Sequence, residues 1–127
     1  MEDHRFYVCK HCGNLVGMIR NSGVPIMCCG APMTELVAGS VDASQEKHVP
    51  VVKVQGNQVT VNVGAIPHPM TEEHAITWVY LKTQSGGQRK LLKPGQEPIV
   101  SFLLDQDQPV AAYAYCNLHG LWKADIE

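Results

Sequence analysis

Along most of this chain, hydrophobic residues alternate with polar ones, which is the two-residue periodicity of a β-strand with one buried face. Val59, Val61 and Val63 alternate with polar neighbours in this way, and the same pattern recurs from residue 76 to residue 80. No segment shows a long run with the periodicity of about 3.6 residues that is typical of an amphipathic helix. The pattern therefore predicts a mainly β protein.

Turn-forming residues divide the second part of the chain into short runs. Gly56-Asn57 stands between two alternating runs and is predicted to form a two-residue hairpin turn. Further runs lie at residues 88–93, 98–104 and 109–116. Six or seven short strands at this spacing predict an antiparallel, immunoglobulin-like β-sandwich over residues 45–127.

The amino-terminal part of the chain, residues 1–36, has a different character, with four of the five cysteines and few large apolar side chains. A segment of this size cannot bury enough apolar surface to fold alone, so we expect a metal ion to hold it together. Residues 37–44 are mostly small and are interpreted as a linker. The sequence thus predicts two domains, 1–36 and 45–127.

Composition argues against several kinds of partner. Ten Lys and Arg against twelve Asp and Glu give a formal net charge of −2, so the chain lacks the positive charge typical of nucleic-acid binding. No apolar run approaches the roughly 20 residues that span a bilayer. Met1, Glu2 and Asp3 lack the positive charge that begins a secretory signal. We expect a cytoplasmic protein that binds neither nucleic acid nor membranes.

The cysteines between residues 9 and 29 predict a metal site. Cys9 and Cys12 have the Cys-x2-Cys spacing that lets two thiolates reach one ion. Cys28 and Cys29 are adjacent, and in an extended segment we expect their side chains to diverge and to distort the coordination. Reductants in the cytosol disfavour disulfides, so a tetrahedral site with four sulfur ligands is predicted, holding zinc or iron.

A second set of metal-binding side chains lies in the β-rich part of the chain. Three histidines stand at predicted strand ends or in Pro-marked loops, and a cysteine is followed three residues later by a histidine. Four imidazoles and one thiolate suit iron, copper or zinc, whereas magnesium and calcium prefer oxygen. Five donors leave one octahedral position for a small ligand, as a catalytic site requires. The predicted donors are His48, His68, His74, Cys116 and His119.

Four ordered motifs carry a family resemblance. They are Glu46-Lys47-His48-Val49-Pro50, His68-Pro69-Met70, Glu73-His74 followed by Ile76 and Trp78, and Cys116-Asn117 followed by His119, Gly120 and Trp122. These motifs resemble the superoxide reductase family, and the amino-terminal cysteines resemble those of desulforedoxin. The whole chain is therefore similar to the desulfoferrodoxin family of two-iron superoxide reductases. One departure is Ala75, where the family has an aromatic residue, which concerns the shielding of the site and not its ligands.

The resemblance implies a cytoplasmic homodimer that reduces superoxide to hydrogen peroxide with electrons from rubredoxin or a similar donor. The first domain would be a desulforedoxin-like module, and the second would carry the catalytic site. By the same resemblance, one iron would be held by Cys9, Cys12, Cys28 and Cys29. A second, ferrous iron would be held by His48, His68, His74 and His119, with Cys116 as the axial ligand.

Two neighbouring residues are candidates for roles in catalysis. A cation at Lys47, beside His48, would raise the local concentration of an anionic substrate, and added salt would weaken this effect. Glu46 resembles the family's glutamate, which occupies the free metal position once the iron is oxidised. The axial thiolate of Cys116 would donate electron density to the iron, as it does in thiolate-ligated haem enzymes.

Other functions fit some of the same residues. A pure electron carrier would use both irons without binding a substrate, and a zinc-stapled β-sandwich would only bind protein partners. Blue-copper carriers also place a cysteine and a histidine near the carboxyl end, but they add a methionine shortly afterwards. The last methionine here is Met70, so copper carriage is a weaker fit.

Overall fold

Residues 4–127 are described by a computed structural model of the chain. Met1, Glu2 and Asp3, on which the expected cytoplasmic location partly rests, lie outside the described residues. Within residues 4–127 the secondary structure consists of twelve strands and one short helix, which confirms the mainly β prediction. None of the described helical segments is long and apolar enough to cross a membrane.

The chain divides into two compact units after Val37. This division does not test the finer boundaries predicted from the sequence, which were two domains and a linker, at 1–36, 45–127 and 37–44. In the first unit, β1 lies between β2 and β5 and is antiparallel to both, while β3 and β4 form a separate hairpin. The strands are β1 (Arg5–Val8), β2 (Leu15–Met18), β3 (Met27–Cys28), β4 (Ala31–Pro32) and β5 (Thr34–Glu35).

The first unit has almost no apolar core. Among its described residues only Phe6 and Cys9 are buried, whereas Ile19, Val24 and Met27 are largely exposed. One phenylalanine ring and one thiol cannot offset the conformational entropy of ordering the unit. Its stability must therefore come from another source, as the sequence predicts.

The second unit contains one short helix and seven strands among the residues described. The strands form two antiparallel sheets, with the orders β10-β7-β6 and β12-β11-β8-β9. The elements are α1 (Gln45–His48), β6 (Pro50–Gln55), β7 (Gln58–Val63), β8 (Ile76–Thr83), β9 (Gly87–Leu91), β10 (Ile99–Leu103), β11 (Pro109–Cys116) and β12 (Gly120–Asp125).

Both sheets contribute side chains to one apolar core. Val59 and Val61 of β7 and Phe102 of β10 are fully buried in it, together with Val79 of β8 and Ala114 of β11. Along β7 and β10 the buried residues alternate with more exposed ones, as in a sheet with one face packed against another sheet, whereas most of β8 and β11 is buried on both faces. The predicted β-sandwich is confirmed.

The predicted hairpin at Gly56-Asn57 is also confirmed. Gln55 and Gln58 pair across the turn, and Gly56 has a φ angle of +60°, in the left-handed region that glycine enters without strain. The sequence missed α1 and did not separate β12 from the motif that precedes it. α1 has only four residues and no side-chain cap at Ser44, so it leaves no periodicity to detect.

Candidate metal centres

The four amino-terminal cysteines lie together. Their sulfur atoms are all within 4.8 Å of one another, and the Sγ atoms of Cys12 and Cys28 are 3.6 Å apart. Backbone N–H groups point at two of the sulfurs: that of Cys12 donates to Cys9 Sγ (3.4 Å) and that of Asn14 donates to Cys12 Sγ (3.5 Å). This turn is the Cys-x2-Cys knuckle that the spacing predicts.

The adjacent pair Cys28-Cys29 has a backbone that the sequence interpretation did not foresee. Cys28 ends β3, and Cys29 with Gly30 forms the two-residue turn that leads into β4. Both turn residues have positive φ angles, +52° and +75°, as a type I′ hairpin requires. The expected divergence in an extended segment is therefore wrong, because the left-handed backbone at Cys29 brings its sulfur to the same side as the other three.

The pKa values of these cysteines indicate that the cluster of sulfurs needs a bound cation. The backbone N–H of Cys12 lowers the pKa of Cys9 to about 6, which favours its thiolate. In contrast, the neighbouring Cys12 and Cys9 raise the pKa of Cys29 to about 12, and Cys9 foremost raises that of Cys28. Four thiolates at this spacing oppose each other's ionisation, and a bound metal ion removes that opposition.

The second cluster is assembled from three separate parts of the second unit. His48 ends α1, His68 and His74 lie in the loop between β7 and β8, and Cys116 and His119 flank the turn between β11 and β12. One nitrogen or sulfur atom from each of the five residues lies within 4.8 Å of the corresponding atoms of the others. The structure thus brings together all five donors that the sequence predicted.

Two of the imidazoles are oriented by backbone carbonyls. His48 Nδ1 donates to the carbonyl of Ser44 and His68 Nδ1 donates to that of Pro69, each at 2.6 Å. The Nε2 atoms of these rings must then be unprotonated, yet they face each other at 3.1 Å. Two lone pairs at this distance repel each other, and a metal cation between them turns the repulsion into coordination.

The other two imidazoles complete the arrangement. His74 Nε2 is buried and has no hydrogen-bond partner among residues 4–127, which is costly unless a metal ion is bound. His119 turns its Nδ1 to the cluster, 3.1 Å from His48 Nε2 and 3.8 Å from Cys116 Sγ. His119 therefore presents a different ring nitrogen from the other three, a point that the sequence left unresolved. The donor set fits a borderline transition metal such as iron.

Burial keeps these imidazoles neutral. It lowers the pKa of His68 from its ordinary 6.5 to about 4, and it is the main cause that lowers the pKa of His48 and of His74. The folded-state pKa of His68 is depressed, so protonation of this ring competes with a metal only as the pH falls well below 6.5. At neutral pH all three rings are ready to bind.

The buried sulfur of Cys116 has its own surroundings. The backbone N–H of His119 donates to Cys116 Sγ at 3.4 Å, and Trp122 Nε1 donates to the carbonyl of His119 at 3.1 Å. The indole of Trp122 also stacks on His48, with ring centroids 4.9 Å apart. Trp122 therefore supports and covers the cluster, whereas Trp78 stacks on Tyr115.

Glu46 and Lys47 are exposed on α1, directly before His48. The carbonyl of Glu46 accepts a hydrogen bond from the backbone N–H of Ile66 (2.9 Å), which ties this turn to the loop that carries His68. Gly64 allows the approach, because a Cβ there would lie 2.5 Å from the Glu46 carbonyl oxygen. The charge of Lys47 contributes to the lowered pKa of His48 and His74, so its ammonium acts within the range of the cluster.

Known proteins resemble this chain over most of its length. The model of a family described as Desulfoferrodoxin matches residues 40–125. Desulfoferrodoxin of Nitratidesulfovibrio vulgaris is 43% identical over 122 residues, which cover 96% of this chain and 96% of that protein. A superoxide reductase of Pyrococcus horikoshii is 37% identical over 106 residues, covering 69% of this chain and 92% of that protein.

A solved structure extends the similarity to three dimensions. The crystal structure of the superoxide reductase from Treponema pallidum superposes with a TM-score of 0.83 at 42% identity, and the match covers 98% of this chain and 100% of that chain. The resemblance inferred from the motifs thus extends over most of the sequence and to the fold.

Proposed function

This chain belongs to the desulfoferrodoxin family and is a superoxide reductase with two iron sites, and from this premise we propose which residues hold the metals and serve the reaction. The observation that supports the assignment most is the convergence of five nitrogen and sulfur donors within 4.8 Å. The proposed ligands of the catalytic iron are His48, His68, His74, His119 and Cys116. The proposed ligands of the other iron are Cys9, Cys12, Cys28 and Cys29.

When bound, ferrous iron would supply the one electron that, with two protons, converts superoxide to hydrogen peroxide. Cys116 would hold the metal and donate electron density to it, and the N–H of His119 would moderate that donation through its hydrogen bond to the sulfur. The carbonyls of Ser44 and Pro69 hold two imidazoles in the unprotonated orientation that binding needs. The family premise favours this enzyme over the pure electron carrier and the zinc-stapled binding protein.

Lys47 and Glu46 have complementary proposed roles at the exposed edge of the site. Lys47 attracts the superoxide anion toward the cluster. Glu46, its neighbour on the exposed side of α1, is the carboxylate available to take the free metal position after oxidation. Both assignments rest on their place beside His48 and on the family resemblance.

We expect Lys47→Ala to lower the second-order rate constant for the reaction with superoxide about tenfold at low ionic strength. A positive charge beside a site that binds an anion raises the association rate by about this factor or more. The variant should also show a weaker dependence of the rate on salt. Pulse radiolysis over a salt series measures both. Lys53→Ala is the matched control, since Lys53 is exposed on β6 and its removal changes the net charge equally. Equal salt dependence in the two variants would contradict the role of Lys47.

The electron donor, the assembly and the location are further proposals. We infer a cytoplasmic homodimer that accepts electrons from rubredoxin or a similar carrier. Free cysteines at all five positions suit a reducing compartment, and exposed apolar side chains of the first unit, such as Ile19 and Val24, offer contact surface.

Sedimentation should give a particle of twice 13.9 kDa, and reduced rubredoxin should be oxidised when superoxide is supplied with the chain. A monomer, or rubredoxin that stays reduced, would contradict the respective proposal.

A further inference from the structure

We propose that Asn117 is a positioning residue that holds His74 and Cys116 in register with each other. Its side chain reaches the loop between β7 and β8 at two points: Nδ2 donates to the carbonyl of Glu73 and Oδ1 accepts from the backbone N–H of Ala75, each at 3.0 Å. The backbone N–H of Asn117 donates to the carbonyl of Ala75 at 3.2 Å. The three hydrogen bonds bracket His74 on both sides. This inference rests on the ligand set proposed above.

The regular strand ladder does not supply this constraint. Along β8 and β11 the pairing runs in register from Ala111 with Lys82 to Tyr115 with Trp78, and it shifts before Cys116, which pairs with Ile76. This shift falls at the last residue of β11, the cysteine itself. Asn117, the next residue, then connects β11 to the loop through its side chain, where the ladder has become irregular.

His74 also needs such a connection more than two of its partners. The rings of His48 and His68 are oriented by carbonyl groups that accept from Nδ1, whereas no carbonyl of the described residues orients the ring of His74. On its amino-terminal side, the backbone of His74 is hydrogen-bonded to Thr71, of the same loop. Asn117 is therefore the link between this segment and the strand that carries the sulfur ligand.

An amide is the side chain that this place requires. The Glu73 carbonyl needs a donor and the Ala75 N–H needs an acceptor, and an asparagine offers both. An aspartate would retain the acceptor but would place a carboxylate oxygen against the Glu73 carbonyl. The bonds to Ala75 involve only its backbone, so the constraint is independent of the side chain at this position.

The test compares Asn117→Ala and Asn117→Asp with Asn62→Ala in the full, iron-loaded chain; Asn62 is exposed on β7. Both Asn117 variants should lose iron from the histidine-rich site to a ferrous chelator with an affinity about 10–100-fold weaker, the effect typical of losing a group that orients a metal ligand. Their thiolate-to-iron absorption band should shift in energy. Asn62→Ala should match the unmodified chain in both measurements, and Asn117→Asp keeps the test available if Asn117→Ala fails to fold.

Two outcomes would overturn the inference, and a third would overturn its premise. If the Asn117 variants unfold at lower temperature but keep the iron affinity and the thiolate-to-iron absorption band of the histidine-rich site, Asn117 stabilises the fold and does not position the ligands. If the Asn117 variants and Asn62→Ala change alike, the effect is not specific to the bracket around His74. If Cys116→Ser retains the band of the histidine-rich site, the proposed ligand set itself fails, whatever Asn117 does.

Discussion

Replacing Cys116 by serine is expected to lower the rate of superoxide reduction by about 100-fold or more. Loss of a group that merely orients a metal ligand costs about 10–100-fold, so loss of a ligand should reach at least the upper end of that range. Cys116 is fully buried, and its sulfur accepts a hydrogen bond from the N–H of His119. At neutral pH the serine side chain is an uncharged hydroxyl, which donates much less electron density to a metal than the thiolate of cysteine does.

Pulse radiolysis measures this rate, and iron content together with the absorption spectrum shows which centre has changed. The matched control is Cys9→Ser, which should leave the band of the histidine-rich site intact. Circular dichroism should show that Cys116→Ser keeps its β structure, because the core of the second unit lies mainly in other residues. A Cys116→Ser chain that reduces superoxide at the original rate would favour a site built from other ligands.

Replacing Cys9 by serine is expected to unfold the first unit. Only Phe6 and Cys9 are buried among its described residues, so the metal must supply most of its stability. A ligand present at about 100 times its dissociation constant raises the ratio of folded to unfolded protein about 100-fold. Removing the metal should therefore raise the rate of protease cleavage in this unit by about the same factor. The second unit should remain protected, because both of its sheets pack against a core of their own.

Limited proteolysis with mass spectrometry identifies the cleaved segment. In Cys9→Ser we expect cuts up to residue 37 and an intact fragment that retains the histidine-rich centre. Cys116→Ser should leave both units protected, because it keeps the cysteines of the first unit and most of the core of the second. A first unit that resists cleavage after losing both Cys9 and its iron would show that side-chain packing, and not the metal, stabilises it.

Much of the architecture could be predicted because strands leave a local signal. The alternation at Val59, Val61 and Val63 reports a single buried face, and Gly56-Asn57 reports a left-handed turn. α1 escaped prediction because four residues make barely one helical turn. β12 was not predicted because its first residues, from Gly120, belong to the motif around His119. This segment was therefore interpreted as part of a metal site and not as a strand.

The two metal centres could be predicted to different depths. The Cys-x2-Cys spacing of Cys9 and Cys12 already implies a shared ion, since the knuckle is local. The pair Cys28-Cys29 was interpreted as extended, although the glycine that follows was the available sign of a two-residue hairpin turn. Asn117 belongs to the motif around Cys116 and His119, but no local signal marks its positioning role, because its partners are 42 and 44 residues away along the chain.

By itself, the sequence predicted most strands of the second unit, the main hairpin, nine candidate metal-binding side chains and their resemblance to a known family, because each of these depends on residue types and short spacings. Only the tertiary structure decided which nitrogen of His119 faces the cluster, how Cys29 turns its sulfur inward, and which carbonyls orient His48 and His68. The carbonyls of Ser44 and Pro69 lie only four residues and one residue from their histidines, so what the fold decides is how each ring and each turn is oriented. The cluster itself joins side chains as much as 71 residues apart. A backbone carbonyl or N–H is the same in every residue, so its role becomes visible only when the fold has placed it.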